Sequence, residues 1–189
     1  EIKEYKEKRK VLCDAIKKRY YNPDTGDFAR NVQGANAFAL DIGLGTKKTF
    51  KNLCKVYDEK HMYYNTGIFG TDILTRVLFM RGRGDIAVRL LSSEGKYSFG
   101  NIMNQGATTL WEYWTGRRSH SHPMFGAVVS YLFSCILGIT QEKDSFGYEK
   151  LIISPAELSL TGSFSGKREI PQGTVNVSAE YSDRFARFD

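Results

Sequence analysis

Apolar residues recur at helical spacing through most of the first 140 positions of the chain, and beyond them the period changes to two. Ile2, Tyr5, Leu12, Cys13, Ala15 and Ile16 fall mainly on one face of residues 2–20, which predicts an amphipathic helix ended by the turn Asn22-Pro23-Asp24-Thr25-Gly26. A second, more apolar helix is expected from Asn36 to Leu44 with Gly45 closing it, and Thr46 can cap a third running to about Glu59. Thr71 or Asp72 would cap a fourth through Ile73, Leu74, Val77, Leu78 and Met80. Asp85 would open a short helix through Leu91, and residues 123 to 139 read as the last long helix. Loops carrying Gly and Phe recur at 25–28, 66–70 and 96–100, a spacing that suits a helical hairpin as building unit without amounting to a sequence repeat. Afterwards Leu151-Ile152-Ile153, the run Leu158 to Ser165 and the run Thr174 to Tyr181 carry strand signals, in part by strict alternation. The division expected is a helical part over 1–141 and a β-strand module over 142–189.

At 189 residues with 41% hydrophobic content the chain can bury a core. A net charge of +6 and a pI near 9.2 raise the question of nucleic acid. The distribution argues against it, because Lys3, Lys6, Lys8, Arg9, Lys10, Lys17, Lys18 and Arg19 alternate with Glu1, Glu4, Glu7 and Asp14, the habit of a solvated helix face. No run approaches the roughly 20 apolar residues a membrane helix needs, and the first ten residues lack the apolar stretch of a signal peptide. Cys13, Cys54 and Cys135 are widely spaced inside apolar stretches and read as buried free thiols, which fix no compartment. His61 and His120 have no metal-ligand spacing, so neither metal nor organic cofactor is expected. Gly162-Ser163-Phe164-Ser165-Gly166 resembles a nucleophile elbow only superficially, since its serines and strand context do not fit.

The densest chemistry lies in Gly106-Ala107-Thr108-Thr109-Leu110-Trp111-Glu112-Tyr113-Trp114 and, ten residues after its carboxylate, His122-Pro123-Met124-Phe125-Gly126. A carboxylate among three large rings loses hydration unless something pairs with it, which is costly for a fold and useful to a carbohydrate site. Rings can lie against the C–H faces of a pyranose while Glu112 activates water and an imidazole bonds a hydroxyl. The bland alternatives are a solvated Glu112 beside a packing patch, and a His122 that caps the following helix. Trp111 and Trp114 would share one side of a helix, with Trp111 the packing ring and Trp114 or Tyr113 nearer a ligand. Asn65, Thr66 and Phe69 lie on a loop expected at the same mouth.

These motifs, together with Asn65-Thr66-Gly67-Ile68-Phe69-Gly70-Thr71 and the run Phe125 to Leu132, resemble the catalytic domain of bacterial α-L-rhamnosidases. The resemblance covers about Tyr20 to Ser178. It implies the carboxy-terminal part of an (α/α)6 toroid followed by a small antiparallel β module, with the missing amino-terminal half of the ring as a partner or, failing that, self-association. It further implies inverting hydrolysis of terminal α-L-rhamnosides, with Glu112 as general base, His122 on the sugar and the general acid upstream of Glu1. Two departures are visible: the step from Glu112 to His122 is shorter than the family usually has, and Ser121 stands where Asn is common. A non-catalytic carbohydrate-binding protein, or a structural fragment that needs a partner half, also fits these residues.

Overall fold

A computed structural model describes residues 2–59, 63–158, 161–182 and 186–188. His61, Ser159 and Leu160 lie outside the described residues. Six helices, α1 (Ile2–Tyr20), α2 (Gln33–Asp41), α3 (Lys47–Glu59), α4 (Ile68–Met80), α5 (Gly84–Leu91) and α6 (Phe99–Asn104), are followed by an irregular helical run from Pro123 to Ile136. A two-residue ladder, β1 (Tyr21–Asn22) with β2 (Asp27–Phe28), closes the turn after α1.

The helices form two rows. α2 packs on α4 and α4 on the start of the Pro123–Ile136 run, while α3 lies beside α2 and α5, and α5 beside α4. Leu53, Tyr57, Tyr64, Leu74, Leu78, Ile86, Leu90 and Phe125 are buried between and within the rows. The segments that lead into α2 and α4 touch one another: Asn65 Nδ2, before α4, donates to Gln33 Oε1 at the start of α2 at 2.9 Å. That shared end is where the candidate site is built.

Several boundaries differ from the sequence reading for local reasons. Thr46 caps α3 as expected, its hydroxyl accepting the Thr49 amide at 3.2 Å while its own amide donates to Thr49 Oγ1 at 3.0 Å. For α4, neither Thr71 nor Asp72 is the cap. The helix starts at Ile68 behind Gly67, which makes no side-chain cap, and Thr71 N already donates to Gly67 O inside the first turn. α6 has too few residues to show a period, and only its first two fall in the loop expected at 96–100; Ser98 Oγ caps it by accepting the Asn101 amide at 3.1 Å. The expected long helix at 123–139 is instead 3₁₀ from Pro123 to Val128, α from Val129 to Tyr131 and π from Leu132 to Ile136. Ser130 and Ser134 hydroxyls donate back to Ala127 O and Ser130 O, both at 2.8 Å, and compete with the regular helical ladder there.

Three strands then form an antiparallel sheet, β5 (Gly162–Ile170), β6 (Gly173–Tyr181) and β7 (Ala186–Phe188), with Gly162 opposite Tyr181 and Ile170 opposite Gly173. Before them β3 (Ile139–Gln141) pairs with β4 (Leu151–Ile153), a ladder that joins residues on either side of position 142. Gly138 connects the helical run to β3 at φ +69°, and a Cβ there would lie 2.2 Å from the backbone of Ser154 and Pro155, so no other residue fits. The sheet is anchored to the helices by Ala179, Tyr181 and Leu158, which share the main core, and Tyr181 Oη donates to Ala156 O at 3.0 Å.

α1 stands apart. None of its residues is buried, and Ile2, Tyr5, Val11 and Leu12 are exposed. Cys54 and Cys135 are the buried free thiols expected, whereas Cys13 is only half-buried because its helix has an uncovered face. Among the described residues, no helix is long and apolar enough to cross a membrane.

Candidate active site

Between α6 and Pro123 the chain forms a loop without regular structure whose two arms are clipped together. His122 N donates to Leu110 O and Glu112 N to Ser119 O, each at 2.8 Å, and the Thr109 hydroxyl bonds His120 O. The clip sets the Glu112 arm beside the His122 arm, which accounts for the ten-residue spacing read in the sequence. At the tip, Gly116 turns the chain at φ +70°, and a Cβ there would lie 2.9 Å from Cζ3 of Trp111. His120 lies flat on Trp111, with ring centroids 4.5 Å apart and planes 17° from parallel, and its Nε2 bonds Gly116 O at 2.7 Å. His120 is thus a structural element of the loop.

Glu112 keeps 22% of its side chain exposed. Ser119 N donates to its Oε2 at 3.4 Å, and Arg118 Nη1 lies 3.7 Å from Oε1 on a side chain 72% exposed, a pair too solvated to bind the carboxylate tightly. The group is oriented by the loop and retains lone pairs for a water or a hydroxyl. His122 precedes the 3₁₀ turn but makes no side-chain cap, and its Nε2 is buried without a hydrogen-bond partner among the described residues. A buried ring nitrogen with no partner is uncommon in a folded protein. The capping alternative for His122 therefore has no bond to rest on.

Of the aromatic residues, Trp111 is the packing ring expected, and of the two rings offered to a ligand only Tyr113 is exposed. Since 111–114 is loop, helical side-sharing does not apply, and Trp114 is as much a packing ring as Trp111, at 7% and 6% exposure. Trp114 stacks on Tyr64 at 5.6 Å and 7°, meets Phe99 edge-on at 5.1 Å and lies 4.0 Å from Phe125. Its Nε1 donates to Thr66 O at 2.7 Å. Tyr113 is the exposed ring of the motif, at 44%, with the Arg118 guanidinium 5.7 Å from its centroid.

Thr66 is thereby joined to the motif, and its hydroxyl also pairs with Thr71 Oγ1 at 2.9 Å. Asn65 is exposed and tied to Gln33, and Phe69 is exposed on the first turn of α4. The sequence reading missed Gln33, Asn36 and Arg118, and it placed Ser119 beside His122 without its bond to Glu112. Asn36, fully buried, accepts Phe28 N at 2.8 Å and donates to Asn31 Oδ1 at 2.7 Å, which holds the turn into α2 where Ala29, Arg30 and Asn31 all have φ between 48° and 61°. Its signal was available as a lone Asn inside an apolar helical run. Arg118 and Ser119 had none, since only the closed loop brings them to Glu112. Among the described residues no group of three or more His, Cys, Asp or Glu could hold a metal ion.

Two rows of short helices with loops meeting at one end are the architecture of a sector of an α/α ring, here with strands appended. The same shape occurs, at a TM-score of 0.80 and 23% identity, in the Streptomyces avermitilis α-L-rhamnosidase solved in complex with L-rhamnose, over 96% of this chain and 19% of that one. It recurs at TM-score 0.80 and 25% identity in the α-L-rhamnosidase from Dictyoglumus thermophilum, over 96% and 21%. By sequence the chain is 28% identical to the α-L-rhamnosidase of Alteromonas sp. (strain LOR), over 94% of this chain and 21% of that protein. It is 30% identical to an α-L-rhamnosidase of Formosa agariphila, over 77% and 17%. The family model of the bacterial alpha-L-rhamnosidase 6 hairpin glycosidase domain matches residues 1–136. The chain belongs to that family. It spans about a fifth of the length of these curated relatives.

Proposed function

We propose that this chain carries the general-base side of a glycoside hydrolase site that acts on terminal α-L-rhamnosides with inversion. The observation that carries the reading is the clipped loop, which holds the partly exposed carboxylate of Glu112 and the unpartnered Nε2 of His122 on adjoining arms. In an inverting reaction a carboxylate deprotonates water on the face opposite the leaving group, while a carboxylic acid about 6.5–9.5 Å away protonates the departing oxygen. Glu112 has free lone pairs for the first role, and the His122 imidazole is assigned to a sugar hydroxyl, which its buried Nε2 meets when the ring turns toward the ligand.

The acid is assigned to the part of the ring outside this sequence. Of the carboxyl groups near turns, Asp27 is buried and accepts Asn31 N at 3.0 Å, and Asp72 accepts the Tyr131 hydroxyl at 2.7 Å, so both are engaged in structure, while Asp24 and Glu94 are exposed and sit in no motif resembling the family's acid cluster. The exposed apolar residues of α1 favour a covering partner, the amino-terminal part of the toroid or a second copy of the chain. The partner substrate is a rhamnose-containing glycoside.

Glu112→Gln in the full-length protein carrying this sequence tests the reading by steady-state kinetics on an aryl α-L-rhamnoside. Turnover should fall a hundredfold or more with rhamnose binding kept, because a positioned base contributes roughly 10²–10⁴-fold and the amide cannot take a proton. A variant within threefold of its parent removes Glu112 from the mechanism. A parent that binds rhamnose and does not hydrolyse would instead establish the carbohydrate-binding alternative.

A further inference from the structure

Trp114 is placed where it can do more than fill space. Its ring is shared by both arms of the site loop, since it lies two residues after Glu112 and packs at 4.0 Å on Phe125, three residues after His122. Phe99 and Tyr64 close the other faces. Any ring of similar size would satisfy those contacts. The indole N–H would not be replaced, because it reaches out of the loop to Thr66 O at 2.7 Å, in the segment leading into α4. That carbonyl belongs to a segment held on two further sides, by the Thr66–Thr71 hydroxyl pair and the Asn65–Gln33 bond. A buried indole N–H must find an acceptor, and this one joins a loop without regular structure to the ends of α2 and α4.

We infer that Trp114 is a positioning residue: the bond from its indole N–H to Thr66 O sets the depth of the Glu112 arm against the ends of α2 and α4 and so aims the carboxylate, without Trp114 touching the sugar. This rests on the assignment of Glu112 as base. Of the two rings expected nearer the ligand, Trp114 or Tyr113, it leaves that place to Tyr113, since Trp114 is only 7% exposed. A base displaced by about 1 Å can lose on the order of a hundredfold in rate while the sugar contacts that set KM persist.

The test is a double-mutant cycle in the full-length protein carrying this sequence, read on an aryl α-L-rhamnoside. Trp114 is replaced by its sulfur isostere benzothienylalanine, which keeps the ring and deletes the donor, and Trp114→Phe serves as a second, smaller ring. Expected are a fall in kcat of about tenfold to a hundredfold with KM within threefold, and a change of less than twofold when the same replacement is made in Glu112→Gln, where there is no base left to aim. A kcat within twofold of the parent for the isostere overturns the proposal. Equal losses in both backgrounds also overturn it, since the ring would then support the fold at large. If Glu112→Gln alone stays within threefold of the parent, the base assignment falls and this proposal falls with it, a result distinct from either of the others.

Discussion

Helix α1 runs through 19 residues and buries none of them, whereas the loop from 105 to 122 has no regular element yet buries Trp111 and Trp114. The helix is set by local terms: good helix formers, a Glu4–Lys8 pair at 2.7 Å, and Lys17, Lys18 and Arg19 in its last turn. The loop is set by distant ones, with Trp114 reaching Thr66 across 48 positions and Tyr64 lying flat against it. Regularity and rigidity are separate properties, and a catalytic group needs the second. An exposed helix can fray without consequence, but a loop pinned by buried rings cannot shift a carboxylate without opening the core.

The comparison is most easily broken at Trp114. In the chain as given, Trp114→Ala should cost about 3–5 kcal/mol, by removing a ring packed on three others. Urea unfolding followed by circular dichroism checks this, and a loss under 1 kcal/mol would mean the loop is not pinned by its aromatic contacts. Gly116→Ala should cost about 1–3 kcal/mol, combining a left-handed backbone with a Cβ 2.9 Å from the Trp111 ring. The same urea unfolding reports it.

α1 makes the opposite forecast. Leu12→Ser should change the stability of this chain by no more than about 0.5 kcal/mol, as for an exposed site, yet cost about 2 kcal/mol or more where a partner covers the helix. Equal small effects in both settings would leave α1 solvated throughout. The smallest effect is chemical: Cys13, half-buried on α1, should react with iodoacetamide at pH 8 well before Cys54. Burial pushes the Cys54 thiol up to about 11, with Arg83 offsetting only part of that. Peptide mapping over a time course reads the order.

Much of this molecule was legible from residue order alone. Period 3.6 and then period 2 marked the helices and the strands, Thr46 announced its cap, and the spacing from Glu112 to His122 drew attention to the candidate site before any geometry was known. Those features are local, so a short window of residues contains their cause. What lay beyond reach was non-local or too brief to repeat: the six residues of α6, the 3₁₀ to α to π winding of 123–136, and the pairing of loop arms that brings Arg118 and Ser119 to Glu112. Sequence marked Trp111 and Trp114 as large rings beside a carboxylate. Only the packed structure decided that both rings belong to the core, because burial depends on which distant side chains arrive against a residue, and no local pattern encodes that.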